Sequence, residues 1–282
     1  MSQTPVPTRP GEPQDPEMRE RYLRDAQRVR ETRRAESARL AAEVPPSRTP
    51  SGPIWVVAGL LTIVLVLGVG ILLAGPMLKQ TSTSEQALPA DVSDLRIDNA
   101  VGDVRVRAAD AGEEPRVTRT TEWGLRRPDA SVDVTGGTAS LEATCPAGVV
   151  LPCSTDWTVV VPEGADVRIE EGVGRVTVEG IDGDVDVETG VGDVRIAEST
   201  GGRITANLGV GSLWVEAVEP PQHVRAKVGV GGVSVQLPDT AAYDVDASGG
   251  VGDVHNDLGS DPSSDRTVVV EGGVGSVSLS AS

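Results

Sequence analysis

Apolar residues follow two different patterns along this chain. Between Ile54 and Ala74 they are nearly continuous, with twenty-one residues and no charge. At about 1.5 Å per helical residue such a run covers the roughly 30 Å hydrocarbon core of a bilayer. From Asp94 onward apolar and polar residues alternate instead. Alternation at period two puts one set of side chains on one face of a strand. The first pattern therefore predicts a transmembrane helix and the second a β domain.

A repeated unit organises the alternation. Seven copies align on Gly-Val-Gly-x-Val-x-Val, at Ala100–Val106, Gly172–Val178, Gly190–Ile196, Gly209–Val215, Gly229–Val235, Gly250–Asn256 and Gly273–Leu279. An imperfect eighth is Gly183–Val187. The second glycines, Gly102, Gly174, Gly192, Gly211, Gly231, Gly252 and Gly275, are the predicted turns; from Gly174 on they lie 18, 19, 20, 21 and 23 residues apart. Each unit thus holds two short strands. Val185 and Val187 alternate with acids, as do Val194 and Ile196 with Asp193 and Arg195. Val191 continues the odd register of Val187, whereas Val194 is even, so the Gly192–Asp193 step must kink the chain to re-aim the second strand inward. Glycine there supplies a positive φ or a close approach that a Cβ would forbid.

Units that cannot bury a face alone but stack on copies of themselves predict an all-β fold of the β-solenoid type. Short hairpins in a β-sandwich or meander are the alternative. Between Ala109 and Glu170 the repeat fades into what reads as further strands. The chain has 33 Gly, no Phe and four Trp, one of them Trp55 in the apolar run, which suits a thin interior of β-branched side chains. The last copy ends almost at Ser282, so some other feature must cover that edge.

Upstream of the apolar run, residues 1–15 are Pro-rich and polar, the composition of a segment without fixed structure. Asp15, Pro16 and Glu17 then read as an N-cap, a first-turn proline and a favourable acid, opening a helix to about Val44 that Pro45-Pro46 stops. Its basic cluster is Arg28, Arg30, Arg33, Arg34 and Arg39. Two readings stay open: a solvated charged helix, or an arm held on an anionic inner leaflet at about 1 kcal/mol per arginine. Arg33, Arg34, Arg39 and Arg48 precede the apolar run and only Lys79 closely follows it, which orients the N-terminus to the cytoplasm. A signal peptide is disfavoured by the long stretch before the run. The expected organisation is a cytoplasmic tail (1–53), a transmembrane helix (54–76), a linker (77–93) and an extracytoplasmic β-repeat domain (94–282), in a single-pass protein of the plasma membrane.

Charge and candidate chemistry narrow the function. The net charge is -17; residues 1–53 hold ten Arg against eight acids, the remainder fifteen bases against thirty-four acids. An acidic domain offers no footprint for nucleic acid. Cys145 and Cys153 are the only cysteines and outside the cytoplasm read as a disulfide. His223 and His255 lie far from them in sequence, so no zinc set forms. The Gly-x-Gly steps lack the following helix and the Lys of a phosphate loop. Asp103, Asp184, Asp193 and Asp253 recur at turns, where aspartate is favoured anyway; stacked calcium ligands are the competing reading. No nucleophile–base arrangement is recognisable. No enzyme activity and no cofactor are expected.

The run from Thr158 to Ile196, with Val161-Pro-Glu-Gly164, the serial Gly-Asp-Val units, Trp123-Gly124 and the Cys145 and Cys153 pair, resembles the bacterial putative-adhesin or toastrack β-repeat family over about residues 94–282. The resemblance implies a β-helical, non-catalytic envelope protein whose members often follow a transmembrane helix. Three readings result: a binding or sensing module engaging an envelope protein or cell-wall component, a self-associating structural or adhesin-like protein, or a wall hydrolase, the last not expected.

Overall fold

In the computed structural model, residues 16–43, 59, 62, 63, 65, 79–146 and 152–282 are described. Helix α1 (Pro16–Glu43) lies in the first compact unit. It opens at the proline, as the Asp15-Pro16-Glu17 signal predicts, and ends one residue short of Val44. The expected unstructured segment 1–15 lies outside the described residues, as does nearly all of 54–76. Within the latter, Gly59, Thr62, Ile63 and Leu65 are helical. Among the described residues no helix is long and apolar enough to cross a membrane.

The second unit is all-β. Its centre is three long strands, numbered in chain order as β8 (Asp166–Glu179), β9 (Val185–Ser199) and β10 (Arg203–Ala217). All three pair parallel and in register, with Gly174, Gly192 and Gly211 stacked on one another. Each strand bends at its glycine into two arms. In β9 the first arm buries Val185, Val187 and Thr189, and the second buries Val194 and Ile196. The inward parity changes from odd to even across Gly192, whose φ is 147°. Here any Cβ would overlap the carbonyl oxygen of Gly174. Backbone conformation and rung-to-rung approach both select glycine.

The arms extend into two sheets joined along this corner. Beside the first arms lie β2 (Asp94–Val101), β6 (Thr138–Thr144) and β5 (Asp129–Thr135) on one side, and β11 (His223–Val230), β15 (Thr267–Val274) and β13 (Asp244–Val251) on the other. Beside the second arms lie β3 (Val104–Ala108), β7 (Cys153–Val161), β4 (Arg116–Trp123) and β1 (Gln80–Ala87), then, opposite, β12 (Val233–Leu237), β16 (Val277–Ala281) and β14 (Val254–Asn256). The core between the sheets is Val, Ile, Leu and Ala, with Trp157 and Tyr243 its only buried aromatics. That is the thin β-branched interior that composition predicts.

Two expectations are corrected. Residues 80–87, read within the linker, form β1, paired antiparallel with β4 along its whole length; its Thr and Ser favour extended backbone, and Thr83 meets Thr120 across the pair at 3.3 Å. The repeats do not stack in chain order: β15 and β16 sit between β11/β12 and β13/β14. The final copy is therefore internal and the penultimate one closes the stack. The imperfect copy at Gly183 leads directly into the first arm of β9, where Val185 and Val187 are buried.

Candidate binding surface at the glycine corner

The bend that returns Val194 to the core turns Val191 out of it. Sequence parity assigns Val191 to the face of Val187, yet it is 48% exposed. The same holds in neighbouring rungs, where Val173, Val210, Val230, Val274 and Val251 are 46–66% exposed. Register pairs Val173 with Val191, Val191 with Val210, Val210 with Val230, Val230 with Val274 and Val274 with Val251. Six valines thus form one column, roughly 24 Å long at about 4.8 Å per rung. Glycines flank it on both sides, so no side chain shields it.

One row farther along the first arms, the outward face is acidic at one end. Glu142, Asp98, Glu170 and Glu188 are consecutive register partners. Beyond them come Asn207, Lys227 and Glu271, and Lys227 bonds Glu271 at 3.0 Å. Like charges opposite one another across adjacent strands are destabilising. Among the four acids the structure offers partial relief, Arg168 approaching Glu170 at 3.5 Å.

Behind the corner lies a buried polar column that sequence reading did not single out. Asn99, Glu171 and Thr189 are register partners, each exposed by 3% or less. Asn99 Nδ2 donates to Glu171 Oε2 at 2.7 Å and to the Thr155 carbonyl at 3.1 Å. Asn99 Oδ1, Thr155 Oγ1 and Thr189 Oγ1 have no protein partner. Burial pushes the Glu171 carboxyl up to about 8, against the hydrogen bonds from Asn99 and the Val173 amide, while Asp103 and Asp156 push it the same way as burial. In the next rungs the same column is Leu208 and Val228. Aligning the copies three positions before the second glycine, rather than at the motif alone, exposes this switch from polar to aliphatic.

The remaining predicted residues take structural roles or stay apart from the corner. Six of the seven turn glycines, all but Gly174, have φ between 132° and 147°. Asp103 Oδ1 accepts the Arg175 amide at 3.2 Å and Asp193 Oδ1 the Ser212 amide at 3.2 Å. These carboxylates tie each rung to the next, a use that competes with calcium ligation. Among the described residues no group of three His, Cys, Asp or Glu is placed to hold a metal. His223 Nδ1 meets Thr267 Oγ1 at 2.9 Å, and His255 Nε2 meets Asp257 at 3.0 Å, both at the surface. Cys145 and Cys153 are disulfide-bonded, fastening the chain after β6 to the start of β7. Arg28, Arg30, Arg33, Arg34 and Arg39 are all exposed on α1.

No protein family matches the sequence and no curated relative does. Solved structures are similar to it at low identity. A putative cell adhesion protein from Clostridium sporogenes is 14% identical, covering 72% of this chain and 100% of its own, at a TM-score of 0.46. A putative adhesin from Bacteroides fragilis is 13% identical, covering 71% and 97%, at 0.29. A putative lipid binding protein from Parabacteroides distasonis is 12% identical, covering 72% and 97%, at 0.32.

Proposed function

We propose that this protein is a membrane-anchored, non-catalytic binding module of the bacterial envelope, with a β-solenoid outside the cytoplasm and an Arg-rich tail inside. The observation that carries the binding reading is the exposed valine column, because a soluble β domain rarely leaves contiguous aliphatic surface uncovered without a use for it. The solenoid reading is supported by parallel, in-register pairing through three consecutive bent strands. The anchor rests on the uncharged run 54–74 and on Ile63 and Leu65, which are 60% and 66% exposed. Arg28, Arg30, Arg33, Arg34 and Arg39, exposed along α1, meet the anionic inner leaflet. The outer domain contacts an envelope protein or a cell-wall component.

Protease applied to intact spheroplasts tests the topology. Digestion of the β domain with a protected tail is expected. A protected β domain that is cut only after lysis overturns the reading. A second reading, self-association as a structural envelope protein, is favoured by the open edge at β13 and β14, where Val251 and Val254 are 66% and 42% exposed. Concentration-dependent growth in mass of the full chain in light scattering would select it.

A further inference from the structure

Building on the binding reading, we infer that the glycine corner docks a basic amphipathic helix of a partner protein, its apolar stripe on the valine column and its Lys or Arg flank on the acidic row. The first support is spacing. Rungs recur every 4.8 Å or so and a helix turn rises about 5.4 Å. A helix lying along the column therefore keeps apolar side chains near Val173, Val191 and Val210 for three turns. Alternate side chains of an extended strand recur every ~6.7 Å and drift out of step sooner.

The second support is charge. Glu170 and Glu188 lie one glycine row from Val173 and Val191, and Asp98 and Glu142 continue that acidic row past the β8 end of the column. Of their register neighbours on the next outward row, Arg96 and Arg168 offset part of this charge, whereas Ser140 and Asp186 do not. A second copy would bring a like row against this one, and an anionic bilayer would bring phosphates. Both meet repulsion that a basic helix turns into attraction. The third support is access. The glycines beside each valine carry no side chain, so a helix can approach the backbone closely, as small residues permit elsewhere.

The test uses the full chain in neutral phosphatidylcholine nanodiscs, with empty discs subtracted. The probe is a fluorescein-labelled, four-turn helical peptide with a Leu stripe flanked by Lys; the control carries Glu for Lys. Anisotropy is expected to show binding of the Lys peptide that weakens with salt, and about tenfold or more weaker binding of the Glu peptide. Val191→Ser with Val210→Ser should weaken the Lys peptide about tenfold. Glu170→Gln with Glu188→Gln should weaken it less and flatten its salt dependence. Val191→Thr with Val210→Thr retains β-branching, so loss of binding with an unchanged melting temperature separates docking from misfolding.

Equal binding of both peptides, or binding indifferent to all three double variants, overturns the inference. So does Lys-peptide binding no stronger than to empty discs, and so does a valine-dependent dimer or valine-dependent flotation with anionic vesicles in its place. Crosslinking of the full chain in intact cells keeps the two claims apart. A partner captured equally by wild type and by Val191→Ser/Val210→Ser retains the binding module and removes the corner as its docking site.

Discussion

Gly190-Val-Gly-Asp-Val194 and Gly250-Val-Gly-Asp-Val254 are the same five residues, yet Val194 is 2% exposed and Val254 42%. Val194 lies in β9, with β8 and β10 on either side, whereas β14 pairs with β16 alone. The surrounding inward positions differ too. Val187 and Ile196 in the middle rung correspond to Ala247 and Asn256 in the closing one. A motif therefore sets the bend, while neighbours and flanking side chains decide how much the bend buries.

The sharpest way to break this comparison is to add one methyl group at each corner. Gly192→Ala forces a Cβ onto the Gly174 carbonyl, with β10 closing off any outward shift. A loss of more than about 4 kcal/mol, or failure to fold, is expected. Gly252→Ala meets the Gly275 carbonyl in the same way, but its rung can move into solvent, at a cost of roughly 1–3 kcal/mol. Equal losses in urea titration would mean that both rungs are equally confined. Truncation comes next: Ile196→Ala should lose about 2–5 kcal/mol and Val254→Ala within about 0.5 kcal/mol.

The opposite end of the stack holds itself by other means, antiparallel strands and one covalent link. Replacing Cys145 and Cys153 by Ser opens a loop of sequence separation 8, worth about 2–3 kcal/mol on the chain-entropy account. Thermal unfolding with and without reductant measures it; a wild type indifferent to reductant would assign that end's stability to its strands alone.

Glu171 sharpens the contrast between the polar and aliphatic stretches of one column. Its carboxyl titrates at about 8 in the fold against an ordinary 4.5, so between those values the folded state holds the proton more tightly. This contribution to stability is complete below about pH 4.5 and lost as pH rises through 8. Glu171→Gln, which keeps the shape without the charge, should flatten that decline and retain more of its pH 5 stability at pH 8.5 than the wild type does. An unchanged pH profile would show that the carboxylate is solvated.

Much of this architecture was legible from residue order because period-two alternation and the parity change at Gly192 are local. Val185, Val187, Val194 and Ile196 point inward as that pattern requires. The outward turn of Val191 was not legible, since parity says where a strand face points and not where a corner faces. Nor was the placement of β15 and β16 inside β13 and β14; the copies are so alike that spacing cannot rank their stacking partners. The Glu171 column was hidden for a related reason: an acid at an inward position looks like an exposed one until its register neighbours are known.

The smallest effect concerns how the closing rung protects itself. Its first residues are covered by the loop that follows β14. Ser260 Oγ accepts the Val245 amide at 2.9 Å and donates to the Val245 carbonyl at 3.3 Å, occupying both backbone groups that another strand would use. Asp261 N adds a bond to the Tyr243 carbonyl at 2.8 Å. From Ala247 onward β13 has β15 on one side and no paired strand on the other. Ser260→Ala should therefore cost only about 0.5–1.5 kcal/mol in the monomer, while lengthening the edge open to another chain. The measurement is hydrogen exchange at Val245 alongside light scattering. Faster exchange with the middle rungs unchanged is expected, since loss of that one bond unfastens the end without loosening β9. Faster exchange across β9 as well would instead make this loop part of the same cooperative unit as the core, and the distinction between middle and closing rungs would fall with it.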